Sequence, residues 1–138
     1  MTMPDPIELV VSWLTTGEYA SEVSAVVGTR ILSRTGDPLP SRPFVRLDLA
    51  GGRPIVDERF DSPRIQVHVF GDPESEPATL AAAQTIRAAL VAARAETLEP
   101  GVLGRCWVES GPAVIYDDTH EPPLVDVTFA VRLTVRPH

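Results

Sequence analysis

The sequence predicts an α+β fold: an antiparallel or mixed sheet with helices packed on one face, in a single domain spanning residues 1–138. Three observations carry that expectation. The C-terminal stretch LVDVTFAVRLTVR alternates apolar and polar residues throughout, the pattern of a long strand with one buried face. The central stretch RIQVHVFGDPESEPATLAAAQTIRAAL passes from strand periodicity, through a turn at Gly71-Asp72-Pro73, into helical periodicity. The elements run helix, strands, helix, strands, an order that layers helices on a sheet. A chain of 138 residues has length for one core, since compact domains run to about 100–150 residues.

The first helix begins at Asp5, a capping residue, with Pro6 in its first turn, and ends at Gly17. Ile7, Val10, Val11 and Leu14 form a stripe at helical spacing that is expected to face the core. Leu9 and Trp13 form a second apolar ridge, expected to point away from the first. A second helical stretch is expected over residues 21–27. TRILS then reads as a strand, and the following RTGDPLPSRP, with one Gly and three Pro, as a loop. In FVRLDLA, Val45, Leu47 and Leu49 alternate with Arg46 and Asp48, and Gly51-Gly52 breaks the pattern. RPIVDERFDSP reads as a polar connection or extended arm.

In RIQVHVF, Ile65, Val67 and Val69 take one side and Gln66 and His68 the other. The helix that follows is expected over residues 76–95. Ala83, Ile86, Leu90 and Ala93 share a face, with the small Ala82 and Ala89 beside them permitting close approach to a sheet. VLGRCWVE reads as a strand and DDTHEPP as a turn or short connection. In the last strand Val125, Val127, Phe129, Val131, Leu133 and Val135 alternate with Asp126, Thr128, Ala130, Arg132 and Thr134. Val127, Phe129, Val131 and Leu133 are expected to pack on Ala83, Ile86 and Leu90.

Composition narrows the function classes. The net charge of −7 argues against a sequence-independent nucleic-acid binder, which needs a basic surface to neutralise phosphates. The charge is segregated. Residues 28–60 hold six Arg against four acids, and the rest of the chain six Arg against fifteen. All twelve basic residues are Arg, which genomic base composition explains most simply. No apolar run approaches the roughly 20 residues of a membrane span, and the N-terminus lacks signal-peptide character. One cysteine excludes an internal disulfide, and cytoplasmic synthesis is expected.

Chemistry is sparse. The sequence contains no GxSxG elbow, Walker loop, GxGxxG or HExxH. Cys106, between Arg105 and Trp107 in a strand, reads as a small buried hydrophobe rather than a nucleophile. His68 falls on the polar face of its strand, where a solvated or hydrogen-bonded structural role is expected. His120 lies beside Asp117, Asp118 and Glu121, either as a metal site or as a solvated loop. The acids there lack the ligand rhythm of a calcium loop, which favours the solvated loop. No catalytic, cofactor or metal residue is assigned.

The order and periodicity of the elements resemble the tail terminator proteins of long-tailed, non-contractile (siphovirus) phages, the family that includes lambda's tail terminator. The likeness rests on DPIELVVSWL, PFVRLDLAGG, DSPRIQVHVFGD leading into EPATLAAAQTIRAAL, and PLVDVTFAVRLTV, and covers about residues 5–136. It implies a structural virion protein without enzymatic activity or cofactor. Six copies would form a ring that caps the tail tube, ends its polymerisation and joins the tail to the head. The implied partners are further copies of the chain, the major tail tube protein and a head-completion or connector protein. The implied location is the tail-neck region of the virion, after synthesis in the host cytoplasm and with no membrane association. DNA would pass the channel without specific binding, which an acidic subunit suits.

Surplus apolar surface at Leu9 and Trp13 is expected at the subunit interface. Arg42, Arg53 and Arg59, in the net-positive stretch 28–60, are expected either to meet acidic groups on a neighbour or on the tube, or to be solvated arginines in loops. The alternatives are a head-side connector or stopper of the neck, or a small α+β enzyme or ligand-binding domain.

Overall fold

A computed structural model of the chain describes residues 3–28, 31–33, 43–52, 62–119 and 123–138. In chain order the elements are α1 (Pro6–Thr16), α2 (Ala20–Val27), β1 (Ile31–Ser33), β2 (Phe44–Gly52), β3 (Pro63–Gly71), α3 (Glu76–Val91), β4 (Glu96–Thr97), β5 (Val102–Asp117) and β6 (Leu124–Arg136). The strands form one mixed sheet in the order β1-β2-β3-β6-β5-β4. Among the described residues only β1 and β2 pair in parallel, and the other neighbours are antiparallel. This is the expected α+β architecture, with its helices on one sheet face.

Register turns the alternation of single strands into rows across the sheet. Val45, Val69, Val127 and Val114 form one row. Leu47, Val67 and Phe129 form the next, and Leu49, Ile65, Val131 and Val108 a third. Most of these side chains join the helices in the main core, together with Leu133, Val135, Leu103 and Cys106. The expected pairing of Val127, Phe129, Val131 and Leu133 with Ala83, Ile86 and Leu90 holds: all seven lie buried in that cluster. Leu49 keeps its predicted face, in register with buried Ile65, but is half-exposed. Its outer neighbour β1 reaches only as far as Leu47, so no strand flanks Leu49 on that side among the described residues.

The expected caps of α1 form. The Asp5 carboxylate accepts from the Ile7 amide at 2.8 Å, and the Gly17 amide closes the helix on the Trp13 carbonyl. Its buried stripe differs from the prediction. Leu9, Val10, Trp13 and Leu14 are buried, whereas Ile7 and Val11 are only partly covered. The inward face is therefore rotated by roughly a quarter turn, given 3.6 residues per turn. The cause is tertiary. Trp13 is drawn in by its indole N–H, which donates to the Ala89 carbonyl of α3 at 2.8 Å, and its ring meets Tyr19 edge-on at 6.4 Å.

The central unit is built as predicted up to its end. The helix stops at Val91 rather than residue 95. The Ala93 amide bonds back to the Leu90 carbonyl, and Ala95 takes a φ of 51° before β4 begins. Gly71 has a clear structural reason: a Cβ there would overlap the hydroxyl of buried Thr79 in α3. The glycine lets the first turns of α3 fold back against the end of β3. The strand expected around VLGRCWVE runs on through Asp117, and it forms the longest pairing in the sheet with β6.

Candidate functional site

The sheet face away from the helices carries the polar half of each alternation. At its centre His68 stands between two carboxylates supplied by the flanking strands. Its Nδ1 lies 3.0 Å from Asp126 of β6, and its Nε2 lies 3.4 Å from Asp48 of β2. Arg46 Nε bonds the same Asp48 oxygen at 3.2 Å, and Gln66 donates to Thr128 Oγ1 at 2.6 Å. Below this row Glu109 of β5 takes the guanidinium of Arg132 on one oxygen and has Arg64 3.0 Å from the other. The hydrogen bond from Arg132, reinforced by the charges of Arg132 and Arg64, holds the Glu109 carboxyl below the ordinary carboxylate range.

Above His68 the face becomes apolar. Phe70 stacks on Phe44 at 5.0 Å and near the His68 ring at 5.7 Å, with the Arg46 guanidinium 5.1 Å from its centre. Phe44, Phe70 and Leu124 form a second, small buried cluster.

This arrangement ties strands together and is poorly suited to catalysis. A general base must present a nitrogen to the proton it removes, and both ring nitrogens of His68 face carboxylates. The neighbouring hydroxyl, Thr128, is engaged by Gln66. The structural role expected for His68 is what the geometry provides.

Cys106 is buried, and burial pushes its thiol up to about 12. The thiolate that reactivity needs is therefore suppressed. Thiol reagents at pH 8 should label the protein only after unfolding; rapid labelling of the native state would show that the strand opens. The sign of the alkaline effect follows from the raised value. The folded chain keeps a proton that the unfolded thiol loses near 9.0, so stability is full below that pH and declines as pH rises toward about 12. The slope is at most about 1.4 kcal/mol per pH unit, and Cys106→Ala should flatten it in denaturant midpoints measured across that range.

Among the described residues, no three His, Cys, Asp or Glu side chains group as metal ligands, and no helix is long and apolar enough to cross a membrane. His120 lies outside the described residues, as do Arg42, Arg53 and Arg59. Leu9 and Trp13 require correction. They are 0% and 3% exposed, locked in the chain's own core, and present no surplus surface to a neighbour. The partly covered hydrophobic side chains of α1 that pack on the core are instead Ile7 and Val11. With Glu8, Ser12, Thr15, Thr16, Glu99 and Pro100 they line a shallow groove of about 360 Å³.

The exposed apolar surface that strand periodicity alone did not reveal is on β5. Val114, Ile115 and Tyr116 are 38%, 50% and 59% exposed, and Trp107 is 42% exposed. Tyr116 donates its hydroxyl to Glu76 at 2.7 Å, a bond that raises the phenol's pKa. The unalternated run AVIY was the signal for this patch: apolar residues on both faces of one strand.

Comparison with known proteins finds likeness in fold alone. No family model matches the chain, and no curated protein matches it. A chain of a solved structure described as the virion of a native gene transfer agent particle superposes with a TM-score of 0.64. That match has 18% sequence identity and covers 92% of this chain and 91% of that one. A second solved chain superposes with a TM-score of 0.50 at 10% identity, over 95% and 98% of the two chains.

Proposed function

We propose that this chain is a structural subunit of a phage-like virion: a tail terminator that forms a homohexameric ring on the end of the tail tube. The carrying observation is the fold likeness to a chain of a gene transfer agent virion, which extends over nearly the full length of both chains. The order of elements in the sequence, which resembles the tail terminator family, supports the same reading. In this role the ring ends tube polymerisation and presents a docking surface to a head-completion protein, in the tail-neck region. The polar face, bound strand to strand by His68 and Glu109, acts as a stiffener of the sheet. A net charge of −7 keeps a DNA channel from holding phosphates.

Arg42, Arg53 and Arg59 belong to this proposal as contacts to acidic groups on the tube or a neighbour. Exposed ion pairs contribute about 0–1 kcal/mol each, so they act together or not at all.

The test is electron cryomicroscopy of cognate tail tubes mixed with the purified protein. The expected result is a six-fold ring at one tube end and an arrest of tube growth. Binding only to a head-side portal or connector would replace this reading with that of a neck stopper, and a symmetry other than six would overturn the hexamer. Reversing Arg42, Arg53 and Arg59 together to Glu should abolish capping. Normal capping by that variant would remove the segment from the interface.

A further inference from the structure

The two edges of the sheet are unlike, and they complement each other. On one side β4 covers only Val102 and Leu103 of β5, so from Gly104 onward β5 has β6 on one flank and no strand on the other among the described residues. Edges of this length invite pairing with another chain unless they are blunted. The middle of β5 is blunted. Register shifts fall between Leu103 and Cys106, Val108 and Ser110, and Ser110 and Ala113, and Pro112 has no amide to donate. Gly111, with a φ of 87°, sits in the last of these bulges against the backbone of Phe129.

Beyond the bulge the strand is regular again, in unbroken register with β6 from Ala113 to Asp117. That outer end is unguarded. Val114 and Tyr116 are exposed on the helix side and Ile115 on the other, so both faces of a free edge are apolar.

We propose that the outer end of β5, Ala113–Tyr116, is the subunit contact of the ring, and that its occupant is the β1 edge of a second copy of the same chain. This inference rests on the ring reading above. A ring needs heterologous contacts, in which one patch meets a different patch on the next copy. The sheet order supplies such a pair, because β5 and β1 lie toward opposite edges. Charge selects the same pair. Glu74, Glu76, Asp117 and Asp118 lie in sequence beside α3's start and β5's end, so this region is acidic. β1 falls within a net-positive stretch, residues 28–60, directly between Arg30 and Arg34 in sequence. An isologous β5–β5 contact would instead place acidic ends together.

The test places Arg at the centre of the patch and measures self-association of the full chain, both free in solution and on tube ends. Ile115→Arg should weaken association at least ten-fold with an unchanged melting temperature, since the side chain is half-exposed. Adding Arg30→Asp and Arg34→Asp to that variant should restore it. In parallel, a benzoylphenylalanine photocrosslinker at position 115 should join to peptides within residues 28–60 of another copy. An intact six-fold ring of Ile115→Arg would overturn the β5–β1 contact while leaving the ring reading standing. Crosslinks to β5 of another copy would likewise overturn it. If the parent protein forms no ring in solution or on tubes, the ring reading fails and this contact fails with it.

Discussion

Replacing Phe129 with alanine lowers the unfolding free energy by about 3–5 kcal/mol, a large fraction of the roughly 5–15 kcal/mol that holds a small domain together. Phe129 is buried in the middle strand pair, in register with Val67 and through it Leu47. It shares the core with Ile86 and Leu90 of α3, and Gly111 of β5 lies so near that a Cβ there would overlap the Phe129 Cα and Cβ. Its loss leaves a cavity whose walls belong to three strands and a helix, so collapse into the space is restricted. The check is a denaturant titration in which the midpoint falls and the slope is unchanged. Leu49→Ala is the internal control. That leucine is half-exposed, and its removal should cost well under the Phe129 figure. A Phe129→Ala midpoint equal to the parent's would mean that β6 faces the other way.

Trp13→Ala should cost about as much, roughly 3–5 kcal/mol, because the indole fills the junction of α1, α2 and α3. The hydrogen bond can be separated from the bulk. Its acceptor, the Ala89 carbonyl, lies in the last turn of α3, where carbonyls run out of intrahelical donors. Trp13→Phe keeps most of the ring and removes the donor, and should cost about 1–3 kcal/mol. Thermal unfolding of the two variants beside the parent ranks them. Equal stability of all three would place Trp13 at the surface, where the spacing of α1 alone had suggested it.

Legibility followed the range of the interaction. The caps of α1, the Gly71-Asp72-Pro73 turn and the alternation of β6 were readable because each depends on residues a few positions apart. The rotation of α1 was not, because a helix with two apolar ridges has no local reason to prefer one. Nor was the polar network readable beyond the side of the sheet it would occupy. His68 alternates onto the polar face, but its partners Asp48 and Asp126 are chosen by the registers of β2 and β6. The end of β5 lies between these cases: AVIY shows apolar residues on both faces, but only the lack of a flanking strand among the described residues makes them surface.

Local periodicity was enough for the α+β class, the identity of most elements, and the inward rows of β3 and β6. Periodicity records which side of each element must leave water. Long-range packing chose which ridge of α1 is buried, where α3 ends, that His68 stands between two carboxylates, and which sheet edge is left open among the described residues. Those outcomes depend on long-range register and on competition among faces for one core. Burial is won by the side chains that fit the remaining space, as Trp13 does through its bond to α3.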